Sequence, residues 1–183
     1  TTEIRDCTFD QSQVVANVVD ELILHNNTFV NPCVLSTDWA ISVHAVNTQS
    51  YTELYNNNIT IPAAGNGIHL TANTQSYCKL DMNTLNNCEV SIMLTRQDFT
   101  IENNIITTPH SGVIIDYPPV GTSGTIRQNV LNIDTDVLTI QNNSKPYRVD
   151  ASYNYIQGFS SNWLIKDKSV TVDASPRYTN DSK

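Results

Sequence analysis

Basic residues are scarce in this 183-residue chain: 10 Lys and Arg stand against 18 Asp and Glu, a net charge of −8. Such a surface repels phosphate backbones, and no Lys/Arg cluster offsets it, which excludes nucleic acid as a partner. Charged residues of both signs make up only 15% of the chain. No apolar run approaches the roughly 18 residues that a membrane-spanning helix needs. Glycine is rare, at 6 residues. A helical period is missing throughout. The chain opens Thr-Thr-Glu-Ile, with neither Met nor a signal peptide, so it is expected to be a mature form or a piece of a longer protein. Its length suits one domain.

What the chain has instead is 22 Asn, 21 Thr and 15 Ser, and they recur with a period. Asn47-Thr48-Gln49-Ser50-Tyr51 returns as Asn73-Thr74-Gln75-Ser76-Tyr77, 26 residues later. A broader motif reads apolar, any, polar, Asn, any, apolar. It occurs as Leu24-His25-Asn26-Asn27-Thr28-Phe29 and again as Ile101-Glu102-Asn103-Asn104-Ile105-Ile106. Seven copies can be aligned. Their fourth position is Cys7, Asn27, Asn57, Asn83, Asn104, Asn129 and Asn154, at spacings of 20, 30, 26, 21, 25 and 25. A second apolar segment follows each turn, as in Ala40-Ile41-Ser42-Val43, Gly67-Ile68-His69-Leu70 and Val137-Leu138-Thr139-Ile140.

Short alternating strands repeating every 20 to 30 residues run in one direction, so like strands stack on like as parallel sheets about 4.8 Å apart. Asn suits such stacking, because its amide both donates to and accepts from the Asn of the next coil. An Asn at the bend is also expected to take the left-handed backbone of the turn. The fold class expected is all-β: a right-handed single-stranded parallel β-helix of about seven coils with an internal Asn ladder. Residues 1–168 are assigned to the β-helix and 169–183 to a C-terminal strand and polar tail.

On these repeats the chain resembles the right-handed parallel β-helix superfamily of pectate-lyase-like, NosD-type and microbial adhesin-like proteins. The resemblance covers Ile4 to about Ile165 and concerns fold rather than activity. It implies an extracellular or cell-surface setting and carbohydrate substrates or ligands.

Alternation indexes the outward columns of the strand that enters each turn. One column is Arg5, His25, Tyr55, Asp81, Glu102, Arg127; another is Glu21, Tyr51, Tyr77, Asp98. Tyr51, Tyr55 and Tyr77, with Asp81, Glu102 and Arg127 on the following coils, form a candidate carbohydrate-binding patch: rings for sugar faces, carboxylate and guanidinium for hydroxyls. The alternative is ordinary solvated cross-strand pairing, Glu53 with Lys79 and Glu102 with Arg127. Asp81 and Glu102 would lie about 5 Å apart, near the separation of a retaining glycosidase. Parallel stacking places any neighbouring pair at that distance, and Gly-His-Gly, Asn-Thr-Asp and Tyr-Gly-Phe-Asp-Pro-His are all missing. The function expected is a structural or adhesive surface protein, glycan-binding and assembling end to end through its N-terminal coil or belonging to a longer chain. The alternative is a polysaccharide lyase, glycoside hydrolase or tailspike-type depolymerase.

No metal-ligand spacing joins His25, His44, His69 and His110, and His69 is expected to be a lone outward imidazole. Asp134-Thr135-Asp136 would suit the start of a calcium site or a simple turn. Of the cysteines, Cys33 and Cys88 fall two coils apart, too far to bridge. Cys78 and Cys88 could pair, or remain buried thiols acting as small apolar residues. Sequons at Asn26, Asn58, Asn142 and Asn180 permit glycosylation without indicating it.

Overall fold

The computed structural model describes residues 1–18, 20–31, 39–47, 49–72, 76–94, 97–116, 123–141, 146–158, 163–166, 168–175 and 178–180. Cys33, Asn73–Gln75, the Pro-rich loop after Asp116 and the Asn142 sequon lie outside them. Among the described residues the chain is all strand and turn, and every pairing is parallel. It is a β-solenoid.

Strands that enter the Asn turn build one eight-stranded sheet: Thr2–Arg5, Glu21–His25, Tyr51–Tyr55, Ser76–Asp81, Gln97–Glu102, Ser123–Arg127, Tyr147–Asp150 and Val170–Asp173, in sequence order. Strands that leave the turn build a thirteen-stranded second sheet. Its two arms fuse where Asn58–Ala72 and Thr84–Leu94 run on without a break. Residues past 168 add to both sheets: Val170–Asp173 pairs with Tyr147–Asp150, and Tyr178–Asn180 pairs with Tyr155–Gln157.

Register follows the repeat. Ile4, Leu24, Leu54, Leu80, Ile101 and Ile126 are successive partners on one wall of the coil. Phe9, Phe29, Ile59, Leu85, Ile106, Leu131 and Ile156 line up on the wall after the turn, Leu85 bridging Ile59 and Ile106. Away from the first coil these side chains are 0–3% exposed, each worth about 1.5–3 kcal/mol of apolar burial. Ile4 and Phe9 are only partly buried.

The Asn column joins the two walls. Nδ2 of Asn27, Asn57, Asn83, Asn104 and Asn129 each donates to Oδ1 of the next Asn, at 3.0–3.1 Å. The backbone N–H of each donates to the same oxygen. A second Nδ2 bond reaches back one coil, as from Asn83 to the Leu54 carbonyl at 2.7 Å. Each inner amide therefore has both its donors and its acceptor engaged while only 1–2% exposed.

One expectation about the turn is corrected. The left-handed residue is not the ladder Asn but the one before it: Asp6, Asn26, Asn56, Met82, Asn103, Gln128 and Tyr153, all with φ between 53° and 59°. At that point the chain must swing outward so that the next side chain can re-enter the core. Asn is tolerated there because its short side chain bonds locally; Met, Gln and Tyr carry the steric cost.

Candidate functional site

The outer face of the eight-stranded sheet carries the patch drawn from the repeat. Its strands pair Glu21 with Tyr51, Tyr51 with Tyr77 and Tyr77 with Asp98. The neighbouring column runs His25, Tyr55, Asp81, Glu102, Arg127. All six candidate residues thus share one face. The rings of Tyr51 and Tyr77 stack at 5.6 Å with 8° between planes, and those of His25 and Tyr55 at 4.5 Å with 6°.

The polar groups of this face are turned toward one another. Lys79 Nζ bridges Glu53 Oε1 at 3.3 Å and Asp81 Oδ2 at 3.0 Å. Arg127 holds Glu102 at 2.9 Å and Asp150 at 3.7 Å. His25 Nε2 meets Glu3 Oε1 at 2.7 Å, and Tyr77 donates its hydroxyl to Thr100 Oγ1 at 2.8 Å. Burial pushes the Tyr51 phenol up to about 12, with Glu53 adding to it, so the ring stays neutral at any physiological pH. At Asp81 burial acts upward, yet the hydrogen bonds from Asn103 and Lys79 outweigh it and keep the carboxyl below its ordinary value. A general acid needs the reverse shift. The face is a flat surface of stacked rings framed by ion pairs.

No known family model, curated protein or solved structure matches the chain.

The remaining candidates resolve as follows. Among the described residues no three His, Cys, Asp or Glu side chains gather to hold a metal. Asp134–Asp136 is tied into the stack by its backbone, Asp134 donating to the Thr108 carbonyl and Gly112 to that of Asp136. Cys78 is a free thiol, fully buried, its pKa raised by that burial, so it forms no bridge with Cys88. His69 is half-buried, not a free surface group: its ring lies 4.7 Å from that of Trp39, and its Nε2 has no hydrogen-bond partner. Burial lowers its pKa and favours the neutral imidazole. On the next strand Glu89 is shifted up by burial, partly countered by His110.

Among the described residues the most exposed aromatic rings lie elsewhere. Tyr153, Tyr155 and Tyr178 are 52%, 37% and 55% exposed, at the turn and on the second sheet. The columns indexed from the sequence stop at the strand before each turn and therefore pass them by. The signal that finds Tyr155 is the position after the ladder Asn, where Ile105, Val130 and Tyr155 stand in consecutive repeats.

Proposed function

We propose that this protein is a surface-exposed β-solenoid with a structural or adhesive role, binding glycan along its outer sheet faces. The observation that carries this reading is the flat, in-register outer face, where paired tyrosine rings lie among fixed carboxylates and guanidinium groups. Sugars are gripped by such surfaces, their C–H faces on aromatic rings and their hydroxyls on planar polar groups. Membership of the pectate-lyase-like and adhesin-like β-helix superfamily, and with it an extracellular or cell-surface setting, is proposed on the repeat and the parallel coil.

Assembly along the axis belongs to the same proposal. Among the described residues strand Thr2–Arg5 pairs on one side only, with Glu21–His25. Partly buried Ile4 and Phe9 lie at that end of the core. A further coil, from this chain or a second copy, would pair with this edge and cover those side chains. Light scattering over a concentration series tests the second-copy form; a constant monomer mass removes it.

The depolymerase alternative finds no support in Asp81, whose carboxyl is held ionised. Incubation with acidic and neutral polysaccharides separates the two, since new reducing or unsaturated ends would establish an enzyme. The binding reading is tested on a glycan array, with a Tyr51→Ala/Tyr55→Ala/Tyr77→Ala variant beside the parent protein. Signals from the parent are expected to fall in the variant while its circular dichroism is kept. A parent that binds no glycan ends the proposal.

A further inference from the structure

The position after each ladder Asn points outward, and its composition changes along the coil. In the early repeats it is Thr8, Thr28, Asn58 and Thr84. In the later ones it becomes Ile105, Val130 and Tyr155, and the register carries the column on to Tyr178, which follows Arg177 rather than an Asn. At about 4.8 Å per strand this apolar run is about 14 Å long. Ile105 is 43% exposed, and Tyr155 and Tyr178 are 37% and 55% exposed. Tyr153, held left-handed at φ 59°, places a third exposed ring beside the run.

Amides border the strip on both sides. On the turn side the column holds Asn103 and Gln128, and on the other it holds Asn132 and Gln157. Gln128 and Gln157 make no side-chain hydrogen bond among the described residues. Asn132 donates to Thr107 at 3.3 Å, while its Oδ1 is buried and has no partner. Asn103 is taken by Asp81 at 2.9 Å, which leaves the exposed Gln128 and the half-buried Gln157 as the amides open to a ligand. Apolar rings in the middle, these two amides at the margins and no charge along the centre describe a site for a neutral polyhydroxylated chain. One column of side chains exposes a few hundred Å², against the roughly 800 Å² per partner that a stable protein interface buries. A second protein chain is therefore a poor occupant, and a linear ligand of about one column's width is a good one.

We propose that the Tyr153/Tyr155/Tyr178 strip is a second carbohydrate site, on a different sheet from the Tyr51/Tyr55/Tyr77 face, and that it selects neutral oligosaccharides. It rests on the glycan-binding reading above and adds a place and a ligand class. The net charge of −8 and the uncharged strip centre both disfavour polyuronates.

The test is calorimetric titration of the full chain with cellohexaose, chitohexaose, mannohexaose and a polygalacturonate oligomer. Tyr155→Ala/Tyr178→Ala is compared with Tyr155→Phe/Tyr178→Phe and with the Tyr51/Tyr55/Tyr77 triple Ala variant. At least one neutral hexaose binds; the strip Ala pair weakens that site about ten-fold and the Phe pair does not, while the triple variant loses the binding of its own face and retains this strip site. Should the Ala pair fail to fold, Tyr155→Thr/Tyr178→Thr keeps the β-propensity and carries the same expectation. If only the triple variant loses binding, the strip is wrong and the glycan reading stands. If the polygalacturonate oligomer alone binds, the strip's selectivity is wrong; if no oligosaccharide binds the parent, both proposals fall.

Discussion

Replacing Asn104 by Ala removes one rung from the middle of the ladder. Its Oδ1 accepts from the Asn83 backbone N–H at 2.9 Å and from Asn83 Nδ2 at 3.0 Å. Its Nδ2 donates to the Leu80 carbonyl at 3.0 Å and to Asn129 Oδ1 at 3.0 Å. Nδ2 also lies 2.8 Å from the Glu102 carbonyl, so truncation strands two donors of Asn83, a residue 1% exposed, and takes a donor from each of three acceptors. Each stranded buried group costs about 1–3 kcal/mol, and partial relaxation recovers some of it, giving an expected loss of about 3 kcal/mol. Asn27→Ala is the internal comparison. Its Oδ1 accepts only the Cys7 backbone N–H, at 3.1 Å, and its Nδ2 donates to the Ile4 carbonyl at 2.9 Å, both in the partly exposed first coil, while Asn57 Oδ1 loses one donor but keeps the Asn27 backbone N–H. That variant should lose about 1 kcal/mol, because water reaches the group left behind. Urea unfolding by circular dichroism reads both, with the slope checked for a change in cooperativity. Equal losses at the two positions, or less than about 0.5 kcal/mol at Asn104, would refute the claim that buried amide pairing, not side-chain size, sets the stability of this column.

Cys7→Asn supplies the missing amide opposite Asn27 Oδ1 and is expected to stabilise by about 1 kcal/mol, read as a higher urea midpoint. In Gly124→Ala the new Cβ would sit 2.1 Å from Phe99 Cζ, so a loss of about 2–3 kcal/mol is expected. Adding Phe99→Leu should return at least about 0.5 kcal/mol as coupling in a double-mutant cycle. His69 is held neutral by burial, so the unfolded chain takes up its proton more readily; stability attributable to it is present above about pH 6.5 and falls as pH drops below that. Melting curves at pH 5 and pH 7.5 should show a smaller drop in His69→Gln than in the parent, and an unchanged drop would exclude His69 as the cause.

Register was legible because a stacked coil repeats its contacts at every turn: once Asn57, Asn83 and Asn104 are aligned, Tyr51 must meet Tyr77 and Glu102 must meet Arg127. The left-handed position was not legible. Asn26-Asn27, Asn56-Asn57 and Asn103-Asn104 offer two asparagines per turn, and Met82, Gln128 and Tyr153 hide the pattern at the others. Strand Val14–Val18 also escapes the motif, since its Asn17 stands outside any turn. At the candidate face, composition gives the groups, but which of them satisfy each other depends on side-chain reach. Lys79 extends to both Glu53 and Asp81, and that closure has no counterpart in spacing. The outward place of Tyr155 follows from alternation as soon as it is carried past the turn, whereas Tyr153 in the turn and Tyr178 after Arg177 do not.

Every rung of the ladder passes its side-chain proton the same way, Nδ2 toward the later coil and Oδ1 toward the earlier one. Six aligned amides joined by five bonds make the column a polar wire rather than a set of equivalent bonds, and its two ends are chemically unlike: Asn27 turns an acceptor toward the coil before it, and Asn154 ends the column with a donor, held by the Ile126 and Ala151 carbonyls. Any continuation along the axis must respect that polarity. Two copies meeting through like ends would set acceptor against acceptor or donor against donor, so a column continued across a contact would have to run head-to-tail, a geometry that propagates instead of closing. Cys7 sits in the column where the acceptor side would continue, and a thiol transmits no amide bond. Whatever lies beyond it, the wire stops there, and a single Cys7→Asn exchange would reopen it.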